Sequence, residues 1–438
     1  MKRIQRRAYS ALLVALCLLF GMGVYIWRFA SDSRDWASFS ANQAIYENGR
    51  VVTGTVTDRS GLVLATVKDG KRIFAEDVFV RTACVHAVGD REGNIGTGAL
   101  RLFGEALAGY SPVTGLAPEG GTVTLSIDAA LSAEALDALG ERRGAVAVMD
   151  YTTGELLCLV SSPAFDPDVG IDETDSRYEG AYLNRCISAA YTPGSVWKLL
   201  TLTAALETLP DLYERRFDCA GSLVVDGNAV NCTGVHGSQT IEQALANSCN
   251  CAFAQLALEL GGETLARYAA QLGLSGQLRL NGAVTTPGRF DAFADGSADL
   301  AWSGVGQATD LVCPLAMLRL SAAIANGGTA AEPTLLHGDS AGKTRLLSED
   351  TAEQLKGMMN YNVAYSYGEW NFPGLRLCAK SGTAEVGDGT SHAWFTGFLD
   401  DPEHPYAFVV LIENGGSGAR NAGPVANAVL QKAIQLAK

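Results

Sequence analysis

The chain has 438 residues, 47% of them hydrophobic and 18% charged, which suffices for one large core plus a smaller unit and argues against wholesale disorder. Its formal charge is −14, and because the first 28 residues carry five basic and no acidic side chains, −19 falls on the remainder. So acidic a body, with no basic patch and no glycine-rich phosphate loop, argues against nucleic acid as a partner and against nucleotide chemistry.

The N-terminus reads "MKRIQRR", with Lys2, Arg3, Arg6 and Arg7, followed by "AYSALLVALCLLFGMGVYIW", uncharged through Trp27. A bilayer core requires about twenty apolar residues of a helix, and basic residues on the near side place that end in the cytoplasm. A cleaved signal peptide competes, but no A-x-A site follows and the run is long for its hydrophobic region. Cys17 follows the bulky Leu16 in mid-run, unlike a lipoprotein cysteine. The expectation is an uncleaved signal anchor over 1–28, with the remainder outside the cytoplasm.

Residues 29–115 mix short strand-like runs with turns, including a hairpin around Arg59–Gly61 in "RVVTGTVTDRSGLVLATV". The Pro/Gly-rich stretch 111–121 reads as a connection, so a second domain is expected over 122–438. It opens with the alternating "TVTLSID". Asp128 then caps a helix that Gly140 stops. "GAVAVMDYTTGELLCLVSSP" is a hairpin, and 195–335 is mostly helical. "LRLCAKSGTAE", "SHAWFTGFLD" and "YAFVVLIEN" are three more strands, and "PVANAVLQKAIQLA" is a closing helix. The fold class is α+β: an antiparallel sheet of about five strands covered by helices, with a helical subdomain. A small β-rich region and one transmembrane helix precede it.

The ten cysteines are scattered, and no C-x-x-C occurs, which excludes the common zinc-knuckle and thioredoxin patterns. Cys219 and Cys232 bracket a short loop and are the one candidate disulfide. No residues are assigned to a metal, and no cofactor is expected.

In "YTPGSVWKLLTLTAALETL", Ser195 stands at a helix start, where free N–H groups favour developing negative charge. Lys198 lies one turn on, on the same face. Its neighbours Val196, Trp197, Leu199, Leu200 and Leu202 are apolar around the whole circumference, so the helix is buried. Burial lowers a lysine pKa until the amine can act as a general base, which arginine cannot do. The chain uses 24 Arg and 9 Lys, and Lys198 is the sole lysine between Lys71 and Lys343. A lone S-x-x-K nevertheless arises by chance about once in a chain this long.

Two further stretches strengthen the reading. In "ANSCNCAF", Ser248 and Asn250 fall at the junction of two helical segments and can both face a cleft, while Cys249 and Cys251 read as small buried hydrophobes. In "AKSGTAE", Lys380 stands beside Ser381 in a strand-like context. Gly382 leaves room for a substrate backbone, and Thr383 offers an N–H. In order these are S-x-x-K, S-x-N and K-[T/S]-G. His236, His392, Tyr191, Trp197, Trp394 and Phe395 are read as structural, and Glu385 as either lining the cleft or a solvated strand end.

The ordered set, and longer stretches such as "YTPGSVWKLLTLTAALE" and "KSGTAEVGDGTSHAWFTGFL", resemble the transpeptidase domain of class B penicillin-binding proteins over 122–438. The anchor and "GTVTDRSGLVLA" resemble the family's juxtamembrane pedestal, with Thr53-Gly54 in place of its Arg-Gly pair. Ser381 stands where threonine is commoner. The resemblance implies a peptidoglycan D,D-transpeptidase, the target of β-lactams. Ser195 is then the nucleophile toward D-Ala–D-Ala stem peptides and Lys198 the general base. Ser248 relays a proton, helped by Lys380, and Asn250 orients substrate and lysine. The N–H groups of Ser195 and Thr383 form the oxyanion hole, and Ser381 and Thr383 bind the terminal carboxylate beside Lys380. It also implies a polytopic glycosyltransferase partner and leaves a homodimer open. A D,D-carboxypeptidase or β-lactamase on the same fold lacks an evident deacylating glutamate here. A non-catalytic β-lactam sensor or cell-wall scaffold fits poorly with one membrane segment and an intact catalytic set.

Overall fold

The computed structural model describes residues 2–37, 46–47, 50–111, 113–117, 119–339, 342–387 and 389–437. Helix α1 (Lys2–Ala37) runs beyond the basic cluster and the apolar stretch. Its portion Lys2–Ser33 contains an 18-residue stretch of mean hydropathy 2.2 and is long and apolar enough to cross a membrane.

The expected hairpin forms between β1 (Thr55–Thr57) and β2 (Val63–Lys68). Asp58 shapes its turn by accepting the Ser60 and Leu62 backbone N–H groups, each at 2.9 Å. Strand β3 (Lys71–Phe74) continues the meander. Residues 78–108, however, form four short helices, Val78–Ala83, Val85–Val88, Ala99–Leu102 and Gly104–Ala108. Segments of one or two turns are too short to show a helical period in the sequence. Strand β4 (Thr122–Thr124) pairs in parallel with β1, closing a four-stranded sheet of order β3-β2-β1-β4.

Helix α2 (Ala129–Leu139) is capped as its sequence dictates. Asp128 accepts the Leu131 N–H at 3.0 Å, and Gly140 ends the helix at φ +59. Strands β5 (Gly144–Asp150) and β6 (Leu156–Ser162) follow as a hairpin. The middle of the chain begins with α3 (Lys198–Thr208). Two nested hairpins then appear that the helical reading of 195–335 passed over. The outer pairs β7 (Phe217–Cys219) with a later strand, and the inner joins β8 (Ser222–Val225) to β9 (Asn228–Asn231); β10 (Gly237–Gln239) completes the outer pair. The inner turn is Asp226-Gly227, with φ +47 and +73, a type I′-like connection. Helix α4 (Ile241–Ala246), opened by a Thr240/Gln243 capping box, α5 (Asn250–Leu260) and α6 (Pro314–Ala325) join α3 in the helical layer, together with Gly262–Gln271, Ala298–Ser303 and Glu349–Asn362.

The chain ends with β11 (Leu377–Val386), β12 (Thr390–Leu399), β13 (Tyr406–Ile412) and α7 (Gly423–Leu436). The main sheet is antiparallel throughout, of order β6-β5-β13-β12-β11. Its central strands read as unbroken apolar runs because both faces are covered. Ala145, Ala147, Val409 and Leu411 pack in the core shared with α6. Val146, Val148, Phe408 and Val410 pack under α2 and α7. The last strand, β11, is left as an edge beside the helical layer.

Candidate functional site

Ser195 sits on a short 3-10 turn, Gly194–Trp197, that leads into α3. Its position depends on two glycines. Gly194 adopts φ +55, and a side chain there would lie 2.6 Å from the Thr383 carbonyl oxygen. Gly306 backs the turn by accepting the Gly194 N–H at 2.8 Å, and a Cβ at Gly306 would lie 2.1 Å from the Gly194 carbonyl. Trp197, fully buried, stacks on Phe290 with ring centroids 6.1 Å apart. The turn is thus clamped while Ser195 itself stays partly exposed.

Lys198 is the first residue of α3 and is fully buried. Its Nζ lies 3.1 Å from Ser195 Oγ, 3.2 Å from Ser248 Oγ and 2.8 Å from Asn250 Oδ1, and donates to the Ser248 carbonyl at 2.6 Å. Burial holds its pKa down at about 7. Lys380, also fully buried, enters from β11 and donates to Ser248 Oγ at 3.1 Å and to the Ser381 carbonyl at 2.9 Å. Burial, and then the neighbouring Lys198 charge, push its pKa well below the ordinary lysine value. Ser248 Oγ therefore bridges two amines, and through them Ser195.

Ser248 is held at φ +51, outside both helices. A non-glycine residue pays roughly 1–2 kcal/mol for that conformation. The Lys198 contact to its carbonyl and the Cys249 N–H bond to the Ala244 carbonyl at 2.9 Å hold it there. Asn250 opens α5, and its Nδ2 donates to the Asn231 carbonyl at 2.8 Å, which turns Oδ1 toward Lys198.

On β11, Ser381 is partly exposed and Thr383 exposed. Gly382 plays a different part from the one expected. A side chain there would meet the Pro193 carbonyl at 2.9 Å and Val196 at 3.1 Å. Its bare Cα admits the nucleophile's own turn, not a substrate backbone. The Thr383 carbonyl faces Gly194, and in an extended strand a residue's N–H points to the same side as its carbonyl. The Thr383 N–H is thereby aimed toward the Ser195 turn.

Tyr367 went unnoticed in the sequence. Its hydroxyl accepts the Ser381 N–H at 2.8 Å, while the adjacent Ser366 donates to the Ala246 carbonyl at 2.6 Å. The Val363–Tyr367 turn thus ties β11 to α4. Nothing in "YNVAYSYGEW" announces this. The other singled-out residues serve packing: Trp394 is buried and donates to the Thr192 carbonyl at 3.0 Å. Tyr191 donates to Glu413 at 2.7 Å, and His392 accepts the Asn414 N–H at 3.1 Å. Phe395 is buried, and Glu385 faces solvent.

The cysteines depart from expectation. Cys219 and Cys232 are both free thiols, not a disulfide. Each sulfur lies 3.5 Å from His236 Nδ1, and Cys232 Sγ lies 3.8 Å from Cys249 Sγ. The four ligand atoms fall within 4.8 Å of one another. Cys249 is therefore part of a potential metal-binding group, as well as a buried side chain, and His236 joins it. Cys251 is buried beside them.

Residues 144–434 match the sequence family described as penicillin binding protein transpeptidase domain. Over 380 residues the chain is 29% identical to peptidoglycan D,D-transpeptidase PbpA of Mycobacterium tuberculosis, with 76% of each chain covered. Stage V sporulation protein D of Bacillus subtilis is 30% identical over 309 residues, 65% of this chain and 47% of that one. A solved structure of penicillin-binding protein A from M. tuberculosis, a ceftriaxone acyl-enzyme complex, aligns at TM-score 0.73 and 27% identity. That alignment covers 87% of this chain and 98% of the other.

Proposed function

Because the chain belongs to the penicillin-binding protein transpeptidase family, we propose that it is a peptidoglycan D,D-transpeptidase in which Ser195, Lys198, Ser248, Asn250 and Lys380 carry the chemistry. The observation that supports these roles best is the Lys198 amine. It is buried, held near neutrality, and within 3.2 Å of Ser195, Ser248 and Asn250 at once.

In this reading neutral Lys198 takes the Ser195 proton as Oγ attacks the D-Ala–D-Ala carbonyl carbon. Negative charge on the carbonyl oxygen is met by the Ser195 and Thr383 N–H groups, each worth roughly 10²–10³ in rate. The proton passes from Lys198 through Ser248 to the departing D-Ala amine. Lys380 polarises the serine hydroxyl on its other side and, with Ser381 and Thr383, receives the terminal carboxylate. The outer edge of β11 lets the stem peptide lie as an added strand. An amine of a second stem peptide then attacks the acyl-enzyme, with Lys198 and Ser248 returning the proton, and Ser195 is released.

The division into an anchor (1–28), a pedestal (29–115) and a transpeptidase domain (122–438) belongs to the same proposal. So does a topology with the acidic body outside the cytoplasm, supported by the basic residues before the apolar stretch of α1. A polytopic glycosyltransferase is the partner proposed for the pedestal, with a homodimer as the alternative use of that surface.

The test uses fluorescent penicillin and a stem-peptide substrate with an acceptor amine. The expected result is a long-lived adduct on wild-type protein, none on Ser195→Ala, and a cross-linked dimer of stem peptides. No labelling refutes the enzyme assignment. Rapid loss of the adduct indicates a β-lactamase, and release of D-Ala without cross-linking a carboxypeptidase.

A further inference from the structure

The Cys219, Cys232, His236 and Cys249 group is assembled from three separate stretches of chain. Cys219 ends β7, Cys232 follows β9, His236 precedes β10, and Cys249 lies at the α4–α5 junction. Zinc at the centre of a tetrahedron, with Zn–S of about 2.3 Å and Zn–N of about 2.0–2.1 Å, requires S···S edges of about 3.8 Å and S···N edges of about 3.5 Å. Three of the six edges match, at 3.8 Å between Cys232 and Cys249 and 3.5 Å from His236 Nδ1 to both Cys219 and Cys232, and the other three lie within 4.8 Å. The side chains stand at metal-ligand spacing. An outer contact of the expected kind is present too: the Asn250 N–H points at Cys232 Sγ at 3.3 Å, as hydrogen bonds to liganding sulfurs do. Cys219 and Cys249 are buried, while Cys232 and His236 are partly open to solvent, which leaves a path for entry.

We propose that Cys219, Cys232, His236 and Cys249 bind one Zn²⁺ as a closed structural site that fixes the turn Ser248–Asn250. Three sulfurs and one imidazole fill a tetrahedron with no open position, which suits structural and not catalytic zinc. Each thiol loses its proton to solvent as its S–Zn bond forms. The neutral imidazole binds through Nδ1, so the filled site carries one net negative charge.

The ion's value lies in where Cys249 stands, between Ser248 and Asn250. Ser248 is held in a left-handed conformation and Asn250 begins a helix. A bond from Cys249 to an ion anchored on the nested hairpins fixes both neighbours, and the Asn250 N–H contact to Cys232 adds a second tie. This positioning role rests on the assignment of Ser248 and Asn250 made above, whereas metal binding itself does not.

The experiment takes the full chain in detergent, purified without chelators, and measures metal by elemental and native mass spectrometry. One zinc per chain is expected, lost in Cys219→Ser/Cys232→Ser. Cobalt substituted into the wild-type protein should give the intense visible bands and sulfur-to-metal charge transfer of tetrahedral thiolate ligation, a readout that does not depend on the variant folding. A Cys219–Cys232 or Cys232–Cys249 disulfide, free alkylatable thiols without metal, copper in place of zinc, or zinc kept by the double variant would each overturn the site. Chelation should slow penicillin labelling by roughly ten- to a hundredfold, with recovery on adding Zn²⁺. Labelling unchanged after verified removal of the ion overturns its hold on the turn. Absence of labelling in the zinc-loaded protein speaks against the transpeptidase reading, while the metal measurements stand apart from it.

Discussion

The rate of acylation by penicillin should follow the protonation of Lys198, and its pH profile can be worked out from the structure. The amine faces Ser195, Ser248 and Asn250, with Lys380 beyond Ser248 and the Cys232, Cys249 and Cys251 thiols nearby. Burial is the largest influence and lowers the pKa from 10.5 to about 7, while the thiols oppose it. Only the neutral amine can accept the serine proton. At a pKa near 7 the neutral fraction is about 1% at pH 5, about half at pH 7 and nearly complete at pH 9. The second-order rate constant for labelling should therefore rise about fiftyfold from pH 5 to 7 and only about twofold from pH 7 to 9. An unperturbed lysine would instead give a rise of close to a hundredfold between pH 7 and 9. Stopped-flow labelling with a fluorescent penicillin distinguishes the two profiles. Lys198→Arg, which keeps a charge but cannot act as a base, should lose about 10²–10⁴ in rate at every pH. A rate climbing tenfold per unit through pH 9, or an active Lys198→Arg, would refute the reasoning.

Ser248→Ala removes the oxygen between the two lysines and should slow labelling by about 10²–10⁴, with the thermal unfolding midpoint little changed. Labelling at the wild-type rate contradicts the relay. Gly194→Ala places a Cβ 2.6 Å from the Thr383 carbonyl at φ +55. It should part the nucleophile's turn from β11, with labelling down by about a hundredfold or more and a lower unfolding midpoint; a normally labelled variant argues against that clamp. Arg185→Ala strands the Glu413 carboxylate that Arg185 and Tyr191 share at 2.8 and 2.7 Å. The Arg185 side chain is only 4% exposed, so the loss should be about 3 kcal/mol in urea unfolding; a change below about 1 kcal/mol would place the pair among weak surface contacts.

The parts legible in the sequence were those governed by local rules. The five strands of the main sheet, the Asp128 cap and the Gly140 stop follow from apolar runs and capping chemistry. Ser195 and Lys198 meet because they are neighbours on one helical turn, and Ser248 and Asn250 fall at a junction because the helical pattern breaks there. What was lost depended on contacts distant in the chain. The Gly382 Cα faces Pro193 and Val196, nearly two hundred residues earlier, and no strand pattern reveals that. The cysteine–histidine group contains no C-x-x-C: Cys219, Cys232 and His236, 13 and 4 residues apart, meet only through two nested hairpins, and Cys249 joins them from the α4–α5 junction 13 residues on. The Asp226-Gly227 dipeptide between apolar runs was the available signal for the inner hairpin. Had it been used, Cys219, Cys232 and His236 would have come to one end of that hairpin pair. Tyr367 remained hidden because the bond of its hydroxyl to the Ser381 N–H, made across the fold, leaves no pattern.

The strand order of the main sheet also has a consequence for how the protein comes into being. Its middle strand, β13, ends at Ile412, and it separates the early hairpin β5–β6 from β12 and β11. During synthesis, the hairpin and the segments carrying Ser195, Lys198, Ser248 and Asn250 emerge long before the strand that must lie beside them. Such distant pairings are slow to form and leave apolar edges waiting. Lys380 itself arrives only with β11. The two amines therefore come together around Ser248 only once β11 has been made and joined to the sheet through β12 and β13.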